Sequence, residues 1–484
     1  MEENKFEGKI DEIIEKGKRI TASQKYIFDK YYFFINGSAY FIHDGNYCLI
    51  NDHNCIYLLK LYEKYKLNFY EYIAGDYEIG VWDIQKKKWV IVQGEIAASN
   101  TLYYFVEEKS FLFDIMLRRL LLKINMTRKL NLSVVDEFIS KGYVVGKDTL
   151  IQGVYKLPPS HILVYDMKNK KLCMIRKKRG IYKFHYSIFN SKICVDKYEE
   201  NIKNLELRIK NKPWALCLSS GYDSNYLLYY LRKHLMGNLM TLTAGGENGK
   251  NEIDNVNKIL SVYKDIDSHE YIIDKSIIEN LPDIVWQLEA SVYDKGIFWD
   301  YILAEKAKSL KRNTVIMGEG HDEICNLKQT KDFLIYNILK KSSILFRNKG
   351  IQIIRPYLDK NIVKIVCKGS GKTKKEKTTF KRYVQSLMPD DIAVLLTKQG
   401  GSIDLETIFE DDNALEKYSS LVVNSKIFPQ SSLDYLYQSI NDKKQVVLGC
   451  IYVIVFVKLY ISGTFDSQFL RRSIDTDLES LFYK

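Results

Sequence analysis

The stretch from Trp214 to His234 constrains the fold more than any other part of the chain. An apolar run, Trp214 to Leu218, stops at two serines, a glycine and an aspartate, and leucines then recur at helical spacing. That order predicts a strand, a tight loop and the start of a helix. Such a loop aims backbone N–H groups and the positive end of a helix dipole at one point, so it suits a phosphate chain.

Two further strand–loop–helix units follow downstream. The strand predicted at Leu239 to Thr243 ends in Ala244-Gly245-Gly246, and the strand at Thr314 to Met317 runs into the acidic turn Gly318 to Glu323. This alternation predicts a doubly wound parallel sheet, in which loops at the carboxyl ends of strands face one crevice. Asp223 and Asp322 could then share one Mg²⁺, which prefers carboxylate ligands and phosphate oxygens.

These loops also carry a resemblance to a known family. The six residues Ser219, Ser220, Gly221, Tyr222, Asp223 and Ser224 resemble the Ser-Gly-Gly-x-Asp-Ser loop of ATP pyrophosphatases, with Ser220 in place of the first glycine. Gly318 to Glu323 matches the Gly-Glu-Gly-x-Asp-Glu turn of asparagine synthetases at every fixed position. Lys398-Gln399-Gly400 resembles the stretch that holds the catalytic lysine of that family.

The resemblance implies ATP and Mg²⁺ as cofactors and assigns a role to each candidate residue. Lys398 would stabilise negative charge in the transition state, and Glu319 would accept a proton from the attacking amine. Asp223 and Asp322 would hold the metal. The nucleotide would contact the residues that line the three predicted loops, namely Leu218, Ser219, Ser220, Gly221, Asp223, Ser224, Ala244, Met317 and Gly318.

The N-terminal part has a different pattern, with short β-like runs at Tyr31 to Ile35, Ala39 to Ile42 and Tyr47 to Ile50, separated by Asn-Gly and Asp-Gly turn signals. Its motifs, among them Lys156-Leu-Pro-Pro-Ser160, resemble the β-rich, layered glutaminase-like (Ntn-type) domain of asparagine synthetases. The glutaminase of that family uses a cysteine directly after the initiator methionine, and this chain has Glu2 there. The family's Arg-Asp pair is replaced by Gly94-Glu95, so we expect a degenerate domain that hydrolyses no glutamine.

We therefore predict an α/β protein with three segments. Residues 1–29 form an N-terminal arm, residues 30–185 the degenerate glutaminase-like domain, and residues 186–484 the ATP-pyrophosphatase domain with a helical C-terminal part. The apolar run Val446 to Val457 is short for a bilayer and predicts a buried helix.

Composition narrows the cellular setting. The 72 Lys and Arg residues outnumber the 60 Asp and Glu residues, which favours acidic partners. Because we find no aromatic-interleaved basic motif, we expect no nucleic-acid partner, and we expect no membrane partner. The eight cysteines form no paired motif, which indicates reduced thiols and a cytoplasmic protein.

The leading functional hypothesis is a synthetase that adenylates a carboxylate with ATP and joins it to an amine. The resemblance includes β-lactam synthetases and lasso-peptide macrolactam cyclases, whose glutaminase-like domains also lack the nucleophilic cysteine. We therefore favour an intramolecular reaction on a precursor peptide, with a partner protease. The alternatives are an ammonia-dependent asparagine synthetase or a β-lactam synthetase-like enzyme, and then a nucleotide-binding pseudoenzyme or a tRNA-modifying pyrophosphatase.

Overall fold

Two compact units make up the chain. The computed structural model describes residues 24–43, 46–94, 101–107, 110–177, 198–199, 205–206, 208–234, 239–247, 252–263, 265–289, 292–325, 331–359, 362–363, 373–396, 405–409, 412–430, 433–434 and 443–463. The first unit comprises Met1–Lys129 and Val145–Tyr182, and the second comprises Leu130–Val144 and Lys183–Lys484.

The first unit is β-rich. Its strands are β1 (Gln24–Phe28), β2 (Tyr31–His43), β3 (Asn46–Leu49), β4 (Ile73–Asp83), β5 (Lys88–Gln93), β6 (Tyr103–Glu107), β7 (Ser110–Asp114), β8 (Tyr155–Lys156), β9 (His161–Asp166) and β10 (Lys171–Arg176). Its helices are α1 (Ile56–Tyr65), the 3₁₀ helix Lys66–Tyr72 and α2 (Leu117–Lys123). An antiparallel sheet runs in the order β1-β2-β4-β5-β9-β10 with β3 paired to β2, and a smaller one runs β7-β6-β8.

Alternating side chains give this unit its layers. Along β2, Phe33 and Ile35 enter one apolar cluster that includes Tyr62 of α1, whereas Tyr32 and Phe34 enter another on the opposite face. Successive strand residues point to opposite faces, so one strand serves both cores. The second core joins the two sheets, as the stacked rings of Phe34 and Phe113 show. The predicted β-rich layered domain is confirmed.

Two local predictions in this unit are wrong. Residues 24–28 of the predicted arm form β1, which pairs with β2. The predicted turn at Asn36-Gly37 is interior to β2, which pairs with β4 without interruption from Tyr31 to Phe41. Asn36 is buried and donates to the Glu78 carboxylate on β4 at 3.1 Å, and Gly37 adopts a positive φ of 86°. Cross-strand pairing therefore outweighs the local turn signal.

The second unit has alternating strands and helices. Its strands are β11 (Trp214–Cys217), β12 (Leu239–Gly246), β13 (Ile266–Ile273), β14 (Thr314–Met317) and β15 (Gln352–Ile354). Its α-helices are α3 (Val135–Lys141), α4 (Tyr222–His234), α5 (Glu252–Leu260), α6 (Leu281–Leu288), α7 (Ile297–Ser309), α8 (His321–Cys325), α9 (Leu339–Asn348), α10 (Thr373–Leu387), α11 (Asp390–Ala393), α12 (Leu405–Ile408), α13 (Asp412–Asn424) and α14 (Lys443–Phe456). Shorter 3₁₀ and π segments are Leu132–Val134, Lys275–Asn280, Leu334–Ile338, Pro356–Leu358 and Val457–Ser462.

The five strands form one parallel sheet in the order β13-β12-β11-β14-β15. β12 and β14, on either side of β11, are almost entirely buried, as expected for a sheet covered on both faces. The chain leaves β11 toward β12 and β13, and it returns to β14 on the other side. This reversal lies between β11 and β14, and in such sheets it opens a crevice at the carboxyl ends of the strands. The predicted doubly wound sheet is confirmed.

Residues 130–144, which the sequence placed in the N-terminal domain, belong to the second unit. The ring of Phe138 on α3 packs against Tyr293 and Tyr452, and Tyr293 donates its backbone N–H to the Gly142 carbonyl at 2.7 Å. Gly142 has a positive φ of 82°, and a Cβ there would lie 2.2 Å from the Tyr293 carbonyl oxygen. The segment is therefore closely fitted to the second unit, and the boundary differs from the predicted one.

The apolar C-terminal helix is longer than the sequence suggested. Helical residues run from Lys443 to Ser462, and by length and composition these 20 residues could cross a membrane. The expectation that the helix is too short is therefore wrong. However, 72% of the apolar stretch of this helix is buried inside the protein, as in a core helix. The Tyr460 hydroxyl, at its end, donates to the Trp286 carbonyl at 2.7 Å.

The cysteines that the structure describes are free thiols. They are Cys48, Cys55, Cys173, Cys217, Cys325 and Cys450. This agrees, for those six, with the reduced thiols expected from the sequence.

Candidate active site

The loop that follows β11 is held closed by its own side chains. The Ser224 hydroxyl lies 3.2 Å from the Ser219 backbone nitrogen, which donates to it, and 2.9 Å from the Ser219 carbonyl oxygen, which accepts from it. The Asn225 amide donates to the carbonyls of Ser219 and Gly221 at 2.8 Å each. These residues sit in the first turn of α4, so the helix fixes the loop. A loop held in this way needs little reordering to receive a ligand.

Ser220, which departs from the family motif, has an acidic partner. Its backbone N–H donates to Glu252 Oε1 at 2.6 Å, and its hydroxyl donates to Oε2 at 2.8 Å. Ser220 is fully buried and Glu252 is 5% exposed. Burial raises the pKa of the Glu252 carboxyl, and the two hydrogen bonds from Ser220 oppose that rise. The Ser220 hydroxyl, which the motif glycine lacks, therefore donates to the buried carboxyl group of Glu252, the first residue of α5.

The loop after β14 packs directly on the start of α4. A Cβ added to Gly318 would lie 3.0 Å from the Ser224 backbone nitrogen and 3.1 Å from the Asp223 Cβ. Glycine is needed there because the two backbones approach so closely. Gly320 has a positive φ of 91° and lies against Leu358. The structure thus brings together the two motif loops that the sequence predicted to share a crevice.

A buried histidine joins these two loops. His321 Nδ1 lies 2.6 Å from Asp223 Oδ1, and His321 Nε2 lies 2.6 Å from the Tyr198 hydroxyl. The imidazole ring stacks on Tyr357 at a centroid distance of 4.4 Å, and the Tyr357 hydroxyl donates to the Asp223 carbonyl at 2.7 Å. Asp223 is therefore held through both its side chain and its backbone. Burial raises the pKa of the Tyr357 hydroxyl well above its usual value, so Tyr357 acts there as a neutral donor.

Glu319, the predicted general base, is part of an ion pair. Arg355 Nε donates to Glu319 Oε2 at 2.7 Å, and the Ser342 hydroxyl lies 3.1 Å from Oε1 and 2.9 Å from Oε2. The same guanidinium group reaches the hydroxyls of Ser342 and Ser343 at 2.8 and 2.9 Å. The carboxylate is therefore oriented by a cation and a hydroxyl from neighbouring elements.

The predicted nucleotide residues lie on three adjacent strands, on the loops that follow them or in the first turn of α4. Leu218 and Met317 are buried at the carboxyl ends of β11 and β14. Ala244 is also buried, but the predicted loop 244–246 is wrong, because these residues continue β12 and pair with β13 as far as Ile273. Asp322 lies in the first turn of α8, half-buried. Lys398 lies outside the described residues.

The donor set fits Mg²⁺–ATP better than a protein-held metal. Within the described part of the chain, no group of three or more His, Cys, Asp or Glu side chains could hold a metal ion. Mg²⁺ bound to a nucleotide needs only one or two carboxylates, since phosphates and waters complete its shell. Asp223 and Asp322 would supply these carboxylates. The backbone N–H groups of residues 219–221 are used within the loop or by Glu252, so the phosphates would meet the first turn of α4.

Two family models match the chain. Residues 206–326 match asparagine synthase, and residues 45–194 match the glutamine amidotransferase domain. The two matches follow each other in the order that the motifs indicated, and the first spans both loops of the site. The chain belongs to the asparagine synthetase family. The asparagine synthase match supports an ATP-dependent amide synthetase family, which uses ATP.

Individual relatives are distant. The chain is 21% identical over 306 residues to "Amidase chry2" of Gibberella zeae, an alignment that covers 57% of this chain and 43% of that protein. The chain thus spans less than half the length of this curated relative. A solved structure, the U34-tRNA thiolase NcsA from Methanococcus maripaludis with its [4Fe-4S] cluster, is 16% identical with a TM-score of 0.26, covering 43% of this chain and 77% of the thiolase.

Three residues at this site escaped the sequence analysis. His321 occupies the variable position of its motif, Glu252 begins a helix 32 residues after Ser220, and Tyr198 lies outside every motif. A polar residue in place of the motif glycine at position 220 was the one available signal. It could have prompted a search for a partner, although it could not have identified Glu252.

Proposed function

We propose that the protein is an ATP-dependent amide synthetase that adenylates a substrate carboxylate, releases pyrophosphate and joins the acyl group to an amine. The observation that carries this proposal is the contact of Gly318 with Asp223, which brings the two acidic loops together at the strand-order reversal. Family membership supports the same chemistry. A carboxylate is a poor electrophile, and adenylation gives it a good leaving group.

Different residues would contact the phosphates, the Mg²⁺ ion and the adenine of ATP. The phosphates of ATP are received at the first turn of α4, where the helix dipole favours an anion. Asp223 and Asp322 would hold Mg²⁺, which neutralises charge on the phosphates. His321 and Tyr357 keep Asp223 in place. Leu218 and Met317 offer an apolar boundary to the adenine.

Two residues act on the second half-reaction. Glu319 takes a proton from the attacking amine, because an ammonium group has no lone pair. Arg355 occupies Oε2 of that carboxylate, so Oε1 is the oxygen that accepts the proton. Lys398 supplies positive charge where the α-phosphoryl group and the tetrahedral intermediate become negative.

We infer further that the amine belongs to the substrate itself, as in lasso-peptide macrolactam cyclisation. Gly94 supports this inference, because it stands where related glutaminases carry the Arg-Asp pair. A Cβ at Gly94 would lie 3.1 Å from the Gly75 carbonyl oxygen and 3.2 Å from that of Tyr77, so any side chain there would crowd the backbone of β4. The expected substrate is a precursor peptide, with a protease as partner protein. An ammonia-dependent asparagine synthetase is the second candidate, because Glu319 is retained.

The test follows the fate of ATP. The full chain is incubated with α-labelled ATP, Mg²⁺ and either aspartate with ammonium or a synthetic peptide encoded beside its gene. We expect substrate-dependent AMP, pyrophosphate and an amide that is lighter than the peptide by one water. Asp322→Asn should abolish all three, and Asp283→Asn, which lies on α6, should not. Substrate-dependent ADP and phosphate would refute adenylation.

A further arm omits ATP. The curated relative is named an amidase, and an amidase would break an amide without a nucleotide. Hydrolysis of the cyclic product in this arm, at a rate that ATP does not change, would count against the synthetase.

A further inference from the structure

A cluster of buried and half-buried charged side chains includes Glu319 of the acidic turn, and its acids outnumber its bases. Glu319 pairs with Arg355 at 2.7 Å, and Asp294 pairs with Lys341 at 2.7 Å. Within each pair, one negative charge is neutralised by one positive charge. Asp300, which is 7% exposed, adds a third carboxyl group close enough to feel the charges of all four. Among these five described residues there are therefore three acids and two bases.

The extra carboxyl group also has an unused oxygen. Asp300 Oδ2 is buried and makes no hydrogen bond to any residue that the structure describes. A buried polar atom without a partner destabilises the folded state, and an ionised one does so more strongly. Burial raises the pKa of Asp300 well above its usual value, although Lys341 acts in the opposite direction. A ligand that brings both a positive charge and an N–H donor would remove both costs.

Asp300 lies on a helix that packs against β12 and β13. It is in the first turn of α7, and its charge acts on Cys217, the last residue of β11. Burial raises the pKa of the Cys217 thiol, and Asp300 and Glu319 raise it further. Both carboxyl groups therefore lie near the carboxyl end of β11, the strand that leads into the motif loop.

A metal ion is a poor match for this position. Asp300 belongs to no group of three or more possible ligands among the described residues, and Mg²⁺ requires a complete octahedral shell. An ammonium group suits one carboxylate oxygen, because it carries a single charge and donates hydrogen bonds.

We propose that Asp300 binds the ammonium group of the amine substrate and holds it beside Glu319 before it loses its proton. The assignment rests on the proposed amide synthetase, because only that reaction requires an amine. It adds a binding residue that the motifs do not contain. Asp300 orients the nucleophile electrostatically, while Glu319 remains the group that accepts the proton.

The test uses ammonium itself as the probe, without ATP. Melting temperature and tryptophan fluorescence of the full chain are followed as NH₄Cl replaces KCl at constant ionic strength. Potassium has a similar radius but offers no N–H donor. We expect a saturable response in the wild type and in Asp283→Asn, whose carboxylate accepts from Gln287 and Tyr301 instead. Asp300→Asn should lose at least tenfold in apparent ammonium affinity.

Each outcome bears on the proposal. Asn keeps the shape of Asp and removes its unpaired charge, so Asp300→Asn should melt no lower than the wild type. Equal responses to ammonium and potassium, no response in the wild type, or an unchanged response in Asp300→Asn would each overturn the assignment. In the amide-forming assay, Asp300→Asn should raise the KM for the amine tenfold or more and leave the KM for ATP unchanged.

These readouts separate two failures. Loss of ammonium binding in Asp300→Asn without any amide formation by the wild type would refute the proposed function alone. Amide formation with an unchanged KM for the amine would refute the role of Asp300 alone.

Discussion

The hydrogen bond between Ser220 and Glu252 predicts a pH-dependent stability that one substitution should reveal. Ser220→Ala removes the hydroxyl that donates to Glu252 Oε2 at 2.8 Å and leaves the backbone donor to Oε1 in place. Both residues are buried, so water cannot replace the lost donor. A hydrogen bond to a charged group contributes about 1.5–3 kcal/mol, and we expect a loss of about 2 kcal/mol when Glu252 is ionised.

The sign of the pH dependence follows from the raised pKa of Glu252. Burial favours the protonated form of Glu252 in the folded state. The stability that this protonated form contributes is therefore fully present below the pKa of an unfolded Glu residue, about 4.3. It is lost as the pH rises through the folded pKa. The Ser220 hydroxyl limits this loss by stabilising the ionised form. Ser220→Ala should therefore cost more at pH 8 than at pH 5.

A double-mutant cycle isolates the pair. Urea unfolding is followed by tryptophan fluorescence for the wild type, Ser220→Ala, Glu252→Gln and the double variant at both pH values. In the Glu252→Gln background, Ser220→Ala should cost about 1 kcal/mol or less and should not depend on pH. If Ser220→Ala costs the same stability in both backgrounds, or at both pH values, the Ser220 hydroxyl does not stabilise the ionised Glu252 carboxylate.

His321→Ala should lower the unfolding free energy by about 2–4 kcal/mol, because a buried ring and its bonds to Asp223 and Tyr198 are lost, whereas His321→Phe should cost less in the same urea titration. Arg355→Met leaves the Glu319 carboxylate unpaired and should cost about 3–5 kcal/mol, most of which a second change, Glu319→Gln, should restore. The intact protein with glutamine, ATP and Mg²⁺ should release glutamate no faster than a heat-inactivated control; faster release would return a glutamine-dependent synthetase to first place.

The sequence predicts the second unit well because its central strands are simple. β11 and β14 are short apolar runs that stop at glycine-containing loops, and this pattern has few alternative folds. The positions of Asp223 and Asp322 shortly after these strands follow directly, although both residues lie in the first turn of a helix and not in a loop. The same reasoning placed Ala244 in a loop, because Gly245 and Gly246 are typical of turns. Pairing with β13 holds them in the strand instead.

Long-range contacts explain what the sequence could not predict. Asn36-Gly37 carries a turn signal, yet the buried bond from Asn36 to Glu78 connects residues 42 positions apart. Residues 130–144 belong to the second unit because of Tyr293, which lies about 150 residues downstream. The role of His321 depends in the same way on Asp223 and Tyr198, which no local pattern links to it.

The acidic surroundings of the motif loop lead to a last prediction, on the order of ligand binding. Asp223 lies in the first turn of α4 and Glu252 accepts hydrogen bonds from Ser220 of the loop, so a phosphate chain would meet two acidic groups. The dipole of α4 supplies about half a positive charge, which does not offset two carboxylates. ATP should therefore bind only with Mg²⁺. In isothermal titrations with EDTA we expect affinity to fall at least tenfold, and Glu252→Gln should recover part of it. Equal affinity with and without Mg²⁺ would mean that neither carboxylate faces the phosphates.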